Sequence, residues 1–163
     1  MKAFFVLLGF VATTASAQEL APAWTVATPK DAAAVLSFEG GSGSRIHLQC
    51  VRKSGQVVLD FEVARRLADH KVGEVWVDAS GIAAPWPVSV ALASGTSTTT
   101  LRGQTQPAET LSVTLVKTEI STAAPVIKAF AKSGVFSLRA LNGSISPSAA
   151  KPGWVRKFLR ACN

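Results

Sequence analysis

The chain has 163 residues, 17 of them lysine or arginine against 10 aspartate or glutamate, a formal charge of +7, two cysteines and two histidines. This length supports a single core in a single domain. The basic residues are scattered from Lys30 to Arg160 without a long run, which argues against nucleic acid and leaves an acidic protein surface, an anionic envelope polymer, lipid headgroups or plain solubility as the meaning of the charge.

Met1 to Ala17, MKAFFVLLGFVATTASA, has a lysine at its start, an apolar run from Ala3 to Val11 and small residues at Ala15 and Ala17. That is the pattern of a cleaved secretory signal peptide; the alternative is a retained amphipathic helix. The run is shorter than the roughly 20 residues a permanent span requires, so no stable membrane span is expected after cleavage. Residues 18–163 then form one β-rich domain, periplasmic or secreted.

After a frayed leader at Gln18–Pro22, Trp24–Ala27 predicts a short strand and Val35–Phe38 a second, leading into the loop Gly40–Ser44. No Walker-type lysine or helix start follows that loop, so it reads as a connector and not a phosphate cradle. Arg45–Phe61 predicts a β-hairpin. Ile46, Leu48 and Cys50 alternate with Arg45, His47 and Gln49, and Val57, Leu59 and Phe61 return on the second strand. Its turn, Arg52–Gly55, ends in a glycine suited to positive φ.

Glu62–Gly73 predicts one or two helical turns or a solvated loop, and Val75–Val77 a strand. Pro85 and Pro87 bracket Trp86, so the next strand is expected to begin after Pro87 and to run from Val88 to Ala93. Thr96–Arg102 suits an outer, half-wet strand, Gly103–Ala108 a turn, and Leu111–Val116 a further strand. The period then changes. A helix is expected from near Ser121 or Thr122, with Pro125 in its first turn and Gly134 as its stop. Val135–Ala140 predicts a strand, Asn142–Gly143 a turn, and Pro152–Ala161 a second helix with Val155, Phe158, Leu159 and Cys162 on one stripe.

The sum is a mainly β fold, a compact β-sandwich or barrel of about eight short strands with two short C-terminal helices. In an exported chain two cysteines favour a disulfide, and burying the terminal helical stripe would deliver Cys162 to the strand carrying Cys50. The alternative is two buried free thiols. Closing a loop of roughly 100 residues stabilises by about 4.7 kcal/mol at best.

No catalytic, cofactor or metal constellation emerges. His47 and His70 are the available bases, but no G-x-S-x-G elbow surrounds any serine, and Cys50, Cys162 and the histidines lack zinc-site spacing. Asp60 and Glu62 alternate onto one face, which is ordinary surface patterning. Recognition is the better fit. Trp86 in its proline corner and Arg102 on the threonine-rich strand are the candidate binding residues, forming a rim for an anionic group; core filling is the competing role for Trp86.

Leu48–Gln56 (LQCVRKSGQ), Val126–Ala140 (VIKAFAKSGVFSLRA) and the terminal FLRACN together resemble the exported proteins of the type VI secretion-associated accessory family. The resemblance implies a mid-chain cysteine strand and a terminal cysteine helix enclosing β-strands, and a role as a secretion-system accessory. The expected function is that of a non-enzymatic periplasmic protein binding another envelope component. The alternatives are an inhibitor of a periplasmic hydrolase, presenting Gly40–Ser44 or Gly103–Ala108 as its loop, and an enzyme using His47 or His70.

Overall fold

The structure, a computed structural model, describes residues 23–40, 44–108 and 112–163. The expected signal peptide, the leader Gln18–Pro22, Gly41–Gly43 of the connector and Leu111 lie outside the described residues. The elements run β1 (Ala23–Ala27), β2 (Ala34–Glu39), β3 (Arg45–Cys50), β4 (Gln56–Val63), β5 (Ala68–Val72), β6 (Val75–Asp78), β7 (Trp86–Ser94), β8 (Ser97–Pro107) and β9 (Thr114–Ser121). Helix α1 (Pro125–Ser133), β10 (Ser137–Ala140), β11 (Gly143–Ile145) and α2 (Pro152–Cys162) follow.

The fold is mainly β, as expected, with two helices and one disulfide, but it has eleven strands among the described residues. Nine of them form a single antiparallel sheet in the order β1-β2-β3-β4-β9-β8-β7-β10-β11, while β5 and β6 pair as a separate hairpin. Alternation sorts the large sheet into two faces. Leu36, Leu48, Leu59 and Phe61 point inward, as do Val116, Val90 and Leu138, and all are buried. Against them pack Val126, Ile127 and Phe130 of α1 and Val155, Phe158 and Cys162 of α2.

The sheet curls around these helices. At its first edge the Trp24 ring packs 5.3 Å from Phe38 and 5.9 Å from Phe130, between centroids. The Trp24 indole N–H donates to the carbonyl of Ser148, beyond β11, at 2.6 Å. That hydrogen bond ties the segment following the last strand to the first strand.

Cys50 and Cys162 are bonded, joining β3 to the end of α2. Around that joint the β3–β4 turn is held by the terminal helix: Lys53 donates its N–H to Ala161 O at 3.3 Å and Gly55 donates to Cys162 O at 2.9 Å. Gly55 has the expected positive φ, 67°.

Several sequence expectations are corrected. Glu62–Gly73 is not helix and only in part loop: β4 runs on to Val63, residues 64–67 connect, and β5 follows, paired with β6. The strand at Thr96–Arg102 is half-wet but not outer, since β8 lies between β7 and β9. Gly103–Ala108 is not a turn, because β8 continues to Pro107. Strand β7 begins at Trp86, not after Pro87; β10 covers only Ala91–Ala93, so no neighbour on that side needs the N–H that Pro87 lacks. Helix α1 starts at Pro125, because Ser121 and Thr122 are engaged elsewhere. The Ser121 hydroxyl accepts the Ala123 N–H, and the Thr122 hydroxyl lies 2.6 Å from Asn163 Oδ1.

Candidate functional site

The face of the sheet turned away from the helices is polar, and its charges are arranged unevenly. Over β2, β3 and β4 they contact one another, with carboxylates in excess, since Arg45 is shared between Glu39 and Glu62. Arg45 Nε lies 3.4 Å from Glu39 and Arg45 Nη1 3.8 Å from Glu62, while His47 Nε2 lies 3.8 Å from Glu39. These pairs contribute little stability, and that half of the face carries more carboxylates than permanent cations.

Over β7, β8 and β9 the pattern differs. Alternation along β8 places Arg102, Gln104 and Gln106 on the outer face, where all three are exposed. Opposite them on β9, Lys117 is the register partner of Gln104 and Leu115 of Gln106, and on β7 Pro87 partners Gln104. Arg102, Gln104, Lys117, Glu119 and Pro87 line a cavity of about 460 Å³. A second, of about 220 Å³, lies beside it and is walled by Pro85, Leu115 and Gln106. Gln104 and Lys117 line both, so the two form one trough along β8 and β9.

Among the described residues the side chains of Arg102 and Lys117 form no hydrogen bond or ion pair, although both stand beside Glu119 in the cavity wall. Arg139, on β10, is likewise without a partner among the described residues and lines a neighbouring cavity of about 250 Å³ with Ser89 and Thr100. Lys117 continues a cross-strand row through Asp60 to His47. Asp60 is half-buried there. Burial raises its carboxyl above the usual aspartate value of 3.8, while the charges of Lys117 and His47 pull it back.

The two residues expected to form a common rim are not brought together. Arg102 lies in the trough, but Trp86 points to the opposite face and is 6 % exposed, its indole N–H donating to Ile82 O at 2.9 Å. Trp86 is buried at the sheet's end, outside the main hydrophobic cluster, and is not displayed on the rim. Lys117, Gln104 and Glu119 were missed by sequence reasoning; for Gln104 the signal was the alternation of β8 continuing through Gly103, while Lys117 and Glu119 lie on β9.

The histidines fall on separate sheets. His70 Nδ1 lies 3.0 Å from the Asp69 carboxylate on the exposed hairpin. His47 Nδ1 lies 3.0 Å from Ser37 Oγ, a serine–histidine contact that the sequence does not announce. Acyl transfer also needs free N–H groups to hold an oxyanion. Strands β2 and β3 are paired on both sides, so their N–H groups at this point are engaged in the sheet.

Among the described residues no group of three or more His, Cys, Asp or Glu side chains is placed to hold a metal ion, and no helix is long and apolar enough to cross a membrane. No protein-family model, curated protein or solved structure matches the chain.

Proposed function

We propose that the protein is an exported, non-enzymatic binding domain that recognises an anionic group of another envelope component in the trough between β8 and β9. One observation carries this reading. Arg102 and Lys117, on neighbouring strands, line one cavity, and among the described residues neither side chain is engaged in a hydrogen bond or close ion pair, Lys117 acting on Asp60 only through its charge. A desolvated anion held by an arginine and a lysine gains charge-assisted hydrogen bonds that a neutral ligand cannot.

Export to the periplasm or beyond is supported by the signal-like Met1–Ala17 and by a disulfide of the kind oxidising compartments preserve. The proposed role as a type VI secretion accessory draws support from the cysteine strand joined to a terminal cysteine helix. We read the curled sheet as an incompletely closed barrel, with the Trp24–Ser148 hydrogen bond bridging its gap. The inhibitor alternative loses Gly103–Ala108 as a loop, since those residues are largely strand.

The test is retention of a solubilised envelope fraction on the immobilised protein and on an Arg102→Glu/Lys117→Glu variant. Salt-sensitive retention by the wild type that the variant loses is expected. Equal retention by both proteins would overturn the assignment.

A further inference from the structure

We infer that the trough takes an extended peptide segment ending in a free carboxylate, a proposal that rests on the binding function above and names its ligand class. The floor of the trough is a ladder on one strand: Arg102, Gln104 and Gln106 recur every second residue on the same face. At a rise of about 3.3 Å per residue, successive rungs stand roughly 6.6 Å apart, which is the same-side repeat of an extended peptide laid along the strand. A glutamine carboxamide offers N–H donors and a C=O acceptor, the complement of a peptide bond. Two of them at this spacing meet alternate peptide units of such a ligand.

The ends of the ladder differ. Arg102 lines the larger cavity at one end, and Lys117, opposite Gln104 in mid-trough, lines both cavities, so a terminal carboxylate in the larger one meets both cations. Towards the other, Pro85 and Leu115 wall the smaller cavity and offer apolar surface to a side chain of the ligand. Glu119, also in the wall of the larger cavity, repels additional negative charge, so one carboxylate fits better than a multiply charged phosphate. A stacked sugar fits worse. Trp24 and the buried phenylalanines face the core, Trp86 is itself buried, Trp76 belongs to the separate β5–β6 hairpin, and the Lys151 ammonium lies 4.7 Å from the Trp154 ring centroid.

The test is titration of the isotopically labelled protein with three probes, followed by amide and side-chain NH₂ resonances. The probes are a random heptapeptide mixture with free C-termini, the same mixture amidated, and poly-glutamate. The free-acid mixture is expected to shift Arg102, Gln104 and Gln106 and to bind at least about tenfold more tightly than the amidated one. Arg102→Ala should abolish that difference, and Gln104→Ala/Gln106→Ala should weaken both mixtures while leaving the free-acid preference. Equal binding of the two mixtures, or no shift with either, would overturn the peptide assignment. If poly-glutamate alone shifts the trough, the wider anion-binding function stands and the peptide assignment falls; if no probe shifts the trough and the envelope fraction is not retained, both fall.

Discussion

Gly55 donates its backbone N–H to the carbonyl oxygen of Cys162 at 2.9 Å, so the hairpin turn that follows one cysteine is hydrogen-bonded to the other. The covalent bond between Cys50 and Cys162 closes a separation of 112 residues around this contact. Thr122 adds a third partner, donating its N–H to Gly55 O at 2.9 Å while its hydroxyl meets Asn163. The terminal helix is therefore fixed by both a cross-link and a backbone network. Replacing both cysteines by alanine should lower unfolding stability by about 2–5 kcal/mol in urea denaturation. Thr122→Val, which keeps the disulfide, should cost about 1 kcal/mol.

Gly134 closes α1 with φ 70°, and its carbonyl accepts the Ala150 N–H at 2.9 Å. A Cβ at this position would overlap the Ala150 carbonyl oxygen, and the backbone conformation is itself one that L residues rarely adopt. Gly134→Ala should destabilise by more than about 2 kcal/mol in the same measurement. Gly153, whose added Cβ would meet nothing within 4 Å, provides the matched control and should tolerate alanine.

Trp86 and Arg102 should separate by their responses to alanine. Truncating the buried indole should cost about 3–5 kcal/mol of stability. Arg102→Ala should change stability by no more than about 0.5 kcal/mol while reducing retention of the envelope fraction. Thermal melts of the two variants, compared with their binding, distinguish core from site.

What the sequence made legible follows from how strongly each segment is patterned. The Arg45–Phe61 hairpin, both helices and the cysteine pairing were readable because one face of each element is buried, and burial imposes period 2 or 3.6 on the residues. Strand β5, Ala-Asp-His-Lys-Val, has one buried residue, Ala68, so no apolar alternation marks it. The continuation of β8 was hidden by Gly103. There glycine serves close packing and not a turn: a Cβ would lie 2.7 Å from Lys117 O and 3.2 Å from Val90 Cγ2. Reading a turn at Gly103 broke the strand beside Arg102 and concealed Gln104 and Gln106. Lys117 was unreadable as a site residue for another reason. Its partnership with Gln104 depends on strand register, which no local pattern specifies.

Asp60 gives the fold a pH dependence with a definite sign. Burial raises its carboxyl above the unfolded value, so between the two values the folded chain holds more protons than the unfolded chain. Its neutral form is fully compatible with the fold below the unfolded value of 3.8, and that contribution is lost as pH rises through the raised folded value. Asp60→Asn should abolish this loss, so its stability relative to wild type should increase across that window and stay higher at neutral pH. Urea denaturation across the acidic range checks the direction; a constant difference between the two proteins would contradict it.

The central claim, that the β8–β9 trough is the recognition surface, is tested most directly by mapping an envelope extract onto the protein. Amide resonances of the labelled chain should shift at residues 100–106 and 115–119 when soluble envelope extract is added, and those shifts should disappear in the Arg102→Glu/Lys117→Glu variant. Shifts confined to the β5–β6 hairpin at 68–78, or unchanged in that variant, would contradict the account.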